Sequence, residues 1–154
     1  MSATYVPLTF FSDSVPLSTG KELDILDITD VIRHRVRGSG VREGMAHLFV
    51  AGQTVALTTI EFESGAVSDL KNAIRRLAPD DIHYEHNARW GDGNGRSHVR
   101  AALVGPDLTV PVLNGELLLG TWQQIALVEL DLRGRSRTVH ISVIGKSQAP
   151  EDTL

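Results

Sequence analysis

The sequence predicts an α+β domain, mainly antiparallel and β-sandwich-like, with two to three short helices. Three observations carry that expectation. Short runs rich in β-branched and apolar residues come in pairs separated by glycine turns, as at 108–113 and 116–119 around Asn114-Gly115. Runs with helical spacing are few and do not alternate regularly with the strands, which argues against a parallel sheet. With 154 residues, 42% of them hydrophobic and 22% charged, the chain is large enough for one core and ordinary for a globular protein. Residues 1–145 therefore read as a single domain, and 146–154, which lack apolar spacing, as a mobile tail.

Taken in order, residues 4–11 mix aromatic and β-branched side chains and are expected as a strand, with Pro7 near a sheet edge where a missing N–H is tolerated. A loop is expected over 12–20. Residues 22–28 (ELDILDI) form the next strand, after which Thr29 or Asp30 caps a short helix through Val31, Ile32 and Val36 that ends at Gly38-Ser39-Gly40. Residues 45–51 and 55–62, separated by Gly52-Gln53, are expected as a hairpin or one bent strand with Glu61 and Glu63 on one face. Ser64 is the expected cap of a helix in which Val67, Leu70, Ala73, Ile74 and Leu77 recur at helical spacing until Pro79 stops the run.

Residues 82–86 read as extended, placing Tyr84 and His86 on one face and His83 and Glu85 on the other. A glycine-rich turn leads into a helix capped by Asn94, with Val99, Ala102 and Leu103 inward, His98 in its first turn and Gly105-Pro106 closing it. Strands follow at 108–113, 116–119, 122–130 and 138–144, with Trp122 expected in the core.

Composition excludes several classes. A net charge of −4 argues against nucleic acid as a partner, because phosphate neutralisation wants a concentrated basic face. Arg33, His34, Arg35, Arg37 and Arg42 do form a basic run, but cations near a helix C-terminus serve its dipole. Without cysteine there is no thiolate chemistry, and any metal must be held by His, Asp or Glu. No apolar run approaches the roughly 20 residues of a membrane span, and the start of the chain lacks a secretory pattern, so a cytoplasmic protein with no membrane partner is expected.

Candidate chemistry concentrates in 82–103, IHYEHNARWGDGNGRSHVRAAL, which holds three of the six histidines. His86 and His98, from a strand end and the next helix, are placed to converge on one divalent cation, magnesium or zinc, with Asp92, Glu61 or Glu85 completing the site as ligand or as an acid/base group. His83 and His86 have HxxH spacing, which on a strand points the rings apart. His34, His47 and His140 are read as hydrogen-bonded or surface residues. The turn through Asp92, Asn94 and Gly95, flanked by Arg89, Arg96 and Arg100, suits the phosphate of a small phosphorylated molecule, the alternative being a tight turn with solvated arginines. An EF-hand is rejected because its sixth and twelfth positions are Ser97 and Leu103. Gln123 or Gln124 is a candidate for facing a pocket. No GxSxG, Walker A or dinucleotide pattern is present, and no organic cofactor is expected.

The segments TTIEFESG, YEHN, GDGNGRSHVRAALVGP, TVPVLNGELLLGTWQQI and RTVHISVIG, in that order, resemble the YjbQ-like family, whose members are described as secondary thiamine-phosphate synthase enzymes. The resemblance spans residues 28–145. It implies a homotrimer with polar sites near subunit contacts and an activity joining an aminopyrimidine diphosphate to a thiazole phosphate. A divalent ion would neutralise the leaving diphosphate there. The family's polar positions fall on Glu61, Asp69, His86, Asp92, Asn94, His98, Trp122 and Gln123. Many relatives carry a histidine in a Pro-His-Ser/Thr motif before the threonine matching Thr54, where this chain has Ala51-Gly52-Gln53; the Pro-Arg pair often found before the last strand is also missing from Gly134-Arg135-Ser136-Arg137. Two functions are therefore expected as rivals: a trimeric enzyme of phosphorylated small molecules, and a non-catalytic trimer that binds a metal or an anion.

Overall fold

The structure, a computed structural model, describes residues 7–147. Its elements run β1 (Thr9–Ser18), β2 (Ile25–Asp27), α1 (Thr29–Gly38), β3 (Val41–Val50), β4 (Val55–Ile60), α2 (Ser64–Leu77), α3 (Glu85–Trp90), α4 (Gly95–Val104), β5 (Asp107–Leu113), β6 (Glu116–Leu117), β7 (Gln124–Glu129) and β8 (Ser136–Ser147). All strand pairs are antiparallel, in a five-stranded sheet ordered β1-β8-β3-β5-β6 and a three-stranded sheet ordered β2-β7-β4. The mainly antiparallel α+β expectation holds, with α3 as an additional short helix.

Three layers result. The inner face of the large sheet (Val15, Ala46, Leu48, Val50, Val139, Ile141) packs with α1 against Val55, Leu57, Ile125 and Leu127 of the small sheet. The small sheet's other face (Ile25, Ala56, Ala126, Val128) packs against Ile74 of α2 and Ala101 of α4. β7 is thus covered on both sides, which is why it reads as a near-continuous apolar run.

Several local expectations change. Residues 12–18 are strand: β1 pairs with β8 from Thr9↔Gly145 to Ser18↔Ser136, and the Ser, Asp and Pro that suggested a loop sit in a strictly alternating edge strand. Residues 45–51 and 55–62 are not a hairpin, since β3 and β4 belong to different sheets and Gly52, at φ 148°, lies where the chain crosses between them. Glu63, not Ser64, caps α2: its carboxylate accepts from the N–H groups of Gly65 and Ala66, and these two bonds hold its pKa below the usual range. Residues 82–86 are not a strand, because α3 begins at Glu85.

In α4, Val99, Ala102 and Leu103 face outward, while Ser97, Arg100 and Ala101 are buried. Trp122 is 70% exposed rather than core. At the chain ends, β8 takes in Lys146 and Ser147, whereas residues 4–6 of the expected first strand and 148–154 of the expected tail lie outside the described residues.

Candidate functional site

The site is built by the glycine turn between α3 and α4. Glu85 in the first turn of α3 and Arg89 in its last complement the helix dipole, and Gly91, left-handed at φ 70°, ends it. Gly93, at φ 72°, continues the reversal. The Tyr84 hydroxyl donates to the Pro79 carbonyl at 2.7 Å, and Asn87 Oδ1 accepts from the Gly95 N–H at 2.8 Å, pinning the start of α4 to α3. A side chain at Gly95 would not fit, since its Cβ would stand 2.8 Å from Tyr84 Cβ. This close approach brings the rings of His86 and His98 together edge to face, with centroids 4.5 Å apart.

Each ring has one further polar partner. His98 Nδ1 lies 3.1 Å from the Gln53 carbonyl oxygen, which can only accept, so Nδ1 carries the proton and the neutral ring turns a lone pair on Nε2 into the cluster. His86 Nε2 lies 3.1 Å from Asp92 Oδ2. The hydrogen-bond network assigns the Asn94 amide with its nitrogen inward, 3.0 and 3.2 Å from the Asp92 oxygens, 3.1 Å from His86 Nε2 and 3.2 Å from His98 Nε2. The Asp92 carboxylate can only accept, so His86 Nε2 gives it a hydrogen, and the two amide hydrogens of Asn94 are left for the Asp92 oxygens and His98 Nε2; two imidazole nitrogens and a carboxylate thus converge on one point. Partial burial pushes the Asp92 carboxyl up, but the hydrogen bond and charge of His86, with the N–H groups of Asn94 and of Asp92 itself, outweigh it and hold the carboxyl below the usual range.

The donor types suit a divalent ion; the spacing does so only after rearrangement. Imidazole nitrogens and carboxylate oxygens bind zinc at about 2.0–2.2 Å. The four nitrogen and oxygen atoms here ring a point at 3.0–3.2 Å that the Asn94 nitrogen occupies. As they stand, no three or more His, Asp or Glu among the described residues are grouped to hold an ion. Binding therefore requires Asn94 to swing out, His86 to give up its Nε2 hydrogen and the four atoms to contract by about 1 Å.

The remaining predicted residues lie elsewhere. Arg96 and Arg100 are both engaged by the protein's own groups: Arg96 Nε donates to Glu22 at 2.8 Å, and Arg100, only 1% exposed, donates to Glu22 at 3.0 Å, Asp80 at 2.7 Å and the Ala78 carbonyl at 3.0 and 2.7 Å. Both guanidiniums are spent on holding α4 to neighbouring loops. Glu61, Trp122 and Gln123 sit at the far end of β4, where Gln123 Nε2 donates to Thr59 Oγ1 at 3.2 Å. That end is about 20 Å from Gln53 at the rise of a strand. Asp69 is exposed on α2, and His83 pairs with Glu85, at 3.1 Å.

Two contributors escaped sequence reasoning, the Gln53 carbonyl and Asn87. The first is a main-chain group with no side-chain signature; the second follows a segment that reads as extended, and its partner, the Gly95 N–H, is set only by the fold. At Gly52, a side chain would bring Cβ to 3.0 Å from Val55 Cγ1 and 3.1 Å from Arg137 Nη1, at a φ that favours glycine.

The sequence profile described as UPF0047 protein YjbQ-like matches residues 13–146. A UPF0047 protein of Methanothermobacter thermautotrophicus is 39% identical over 136 residues, covering 88% of this chain and 93% of the relative. One from Mycobacterium tuberculosis is 38% identical over 120 residues, covering 78% and 88%. Among solved structures, a YbjQ-like protein of unknown function from Sulfolobus solfataricus superimposes with a TM-score of 0.87 at 31% identity, over 91% of this chain and all (100%) of that one. A hypothetical protein from Aeropyrum pernix gives 0.82 at 30% identity, over 88% and 99%. The match of the profile across nearly the whole chain, together with these relatives, shows that the chain belongs to the YjbQ-like UPF0047 family.

Proposed function

We propose that this protein binds a divalent cation through His86, His98 and Asp92 and uses the site to act on a small phosphorylated molecule, with a thiamine-phosphate synthase type of transfer as the reaction to test first. The single observation that carries the reading is convergence: His86 Nε2, His98 Nε2 and both Asp92 oxygens, from three side chains, lie 3.0–3.2 Å from one point, the Asn94 amide nitrogen. Two imidazoles and a carboxylate suit zinc and other first-row ions better than magnesium, which prefers oxygen. A bound ion would supply positive charge against a leaving diphosphate. For the protein's own part, His98 presents Nε2 because Gln53 holds Nδ1–H, and Asp92 stays ionised beside His86 and so keeps its negative charge for the cation.

Titration calorimetry of the metal-free protein with zinc chloride checks the core of this. One ion per chain is expected, with binding lost in His98→Ala and in His86→Ala; equal binding by His98→Ala would overturn it. Incubation with the aminopyrimidine diphosphate and the thiazole phosphate, read as thiamine phosphate formed, checks the reaction. The rival reading, a non-catalytic cation-binding protein, is favoured by Arg96 and Arg100 being engaged by Glu22 and Asp80 and so not offered to phosphates.

We also propose self-association, as a homotrimer, through the outer face of the large sheet. There Phe10, Ile144, Met45 and Pro111 are cross-strand neighbours in one row, and Phe10 and Met45 are 66% and 52% exposed. Sedimentation of Met45→Glu beside the parent chain tests this: a trimer that dissociates supports it, and a parent that sediments as a monomer removes it. No helix among the described residues is long and apolar enough to cross a membrane. The absence of cysteine suits the reducing cytoplasm proposed as its setting.

A further inference from the structure

His98 owes its orientation to a carbonyl on an otherwise exposed segment. Ala51, Gly52 and Gln53 are all exposed, and Gly52 at φ 148° gives the backbone there unusual freedom. What holds the Gln53 carbonyl is the residue joined to it by the same planar peptide, Thr54, which is 8% exposed. The Thr54 carbonyl accepts from Leu130 N–H at 2.9 Å and from Arg137 Nη2 at 3.1 Å; its hydroxyl accepts from Arg137 Nη2 at 2.9 Å and donates to Asp131 at 3.3 Å.

Arg137 is itself fixed. Its Nε donates to Glu129 Oε2 at 2.8 Å and its Nη2 to Glu129 Oε1, and Glu129, fully buried, also accepts from the Thr19 hydroxyl at 2.7 Å and the Asp131 N–H at 2.9 Å. A continuous chain of bonds therefore runs from the core through Glu129, Arg137, Thr54 and Gln53 to His98 Nδ1, none of it made by a residue of the histidine cluster until the last step.

We infer that Arg137, seated on Glu129, is a positioning residue for the candidate site: by anchoring Thr54 it aims the Gln53 carbonyl at His98 and so selects the Nδ1–H tautomer that leaves Nε2 free to accept. The inference builds on the site proposed above, yet it concerns the free protein and holds whatever the site binds. A guanidinium is needed because Nε and Nη2 together hold both Glu129 oxygens in a planar fork while Nη2 also reaches the two Thr54 oxygens, a geometry a lysine cannot present.

Long-range proton–nitrogen correlation spectra of the metal-free, nitrogen-15-labelled full chain report the tautomer of each histidine. The parent protein is expected to show His98 as Nδ1–H. In Arg137→Lys, which keeps the charge beside Glu129, and in Thr54→Val, which keeps the size but removes the hydroxyl, His98 is expected to move to a mixture with substantial Nε2–H, while the tautomers of His47 and His140 on the far sheet stay put. If Arg137→Lys does not fold, Thr54→Val decides alone. A parent His98 already in the Nε2–H form, or one that stays fully Nδ1–H in the folded variants, overturns the inference. Loss of the proposed function would show instead as absent zinc binding with the Nδ1–H tautomer intact, so the two failures are distinguishable.

Discussion

The two faces of α4 carry side chains that the sequence places in one pocket and the fold assigns to opposite tasks. Arg96 and Arg100 point one way, into Glu22, Asp80 and the Ala78 carbonyl; His98 points the other, to Gln53, Asn94 and His86. The arginines are satisfied: every acceptor they meet lies within ion-pair or hydrogen-bond distance, and Arg100 has almost no contact with water. The histidine side is left open: its two imidazoles, Asp92 and the Asn94 amide share few hydrogens among them, and both His86 and Asp92 still meet solvent, at 35% and 43% exposed. A group whose charge is already matched is a poor ligand for anything else, so the two faces are told apart by which has bonding capacity left over.

Substitutions should separate the faces. The largest effect is expected from Arg100→Ala, which strips a buried guanidinium from two carboxylates and leaves the buried Ala78 carbonyl without its partner. Because Glu22 and Asp80 are partly exposed, the cost should fall near the lower end for breaking such a pair, about 3 kcal/mol, measured by urea unfolding. Arg96→Ala should cost about 1 kcal/mol or less, since its ion pairs are nearer the surface and Arg100 still holds Glu22.

His98→Ala should change unfolding stability by only about 0.5 kcal/mol while removing zinc uptake, because its ring is half-buried and outside the core. If His98→Ala proves as destabilising as Arg100→Ala, the division between the faces collapses.

The smallest effect is on pH dependence. With the Asp92 carboxyl below its usual range in the folded chain, its stabilising contribution is present above the unfolded value of about 3.9 and is lost as pH falls through the lower folded value. Asp92→Asn should therefore flatten that part of the acid limb of thermal stability, followed by circular dichroism between pH 2 and pH 5 at roughly the range set by these pKa values. An unchanged acid limb would show that His86 and Asp92 are not coupled. Glu63, also depressed by its cap bonds, contributes with the same sign and serves as a reference through Glu63→Gln.

A second contrast concerns the two ends of β4. The Gln53 end meets the histidine cluster, whereas the other end presents Glu61, Gln123 and an exposed Trp122. Asp69 on α2 aside, the motif residues that family resemblance groups together therefore occupy two places on one chain.

Much of the architecture is legible in residues alone. Paired apolar runs, Asn114-Gly115, the spaced apolar residues of α2 and the Gly105-Pro106 stop encode elements through local sterics and burial, and these stand where the sequence puts them. The concentration of site chemistry in 82–103 is equally local, because a strongly turned, glycine-rich segment must keep its polar residues near one another. What the sequence leaves undecided is pairing at a distance. Whether Arg100 meets a phosphate or the Glu22 carboxylate depends on which loop packs over α4; whether residues 85–90 coil depends on Asn87 finding Gly95; and the tautomer of His98 depends on a main-chain oxygen 45 positions away in sequence. Those contacts form only when the layers close. They are decided by the tertiary structure because a hydrogen bond needs two groups at one point in space, and the sequence names each group without naming its partner.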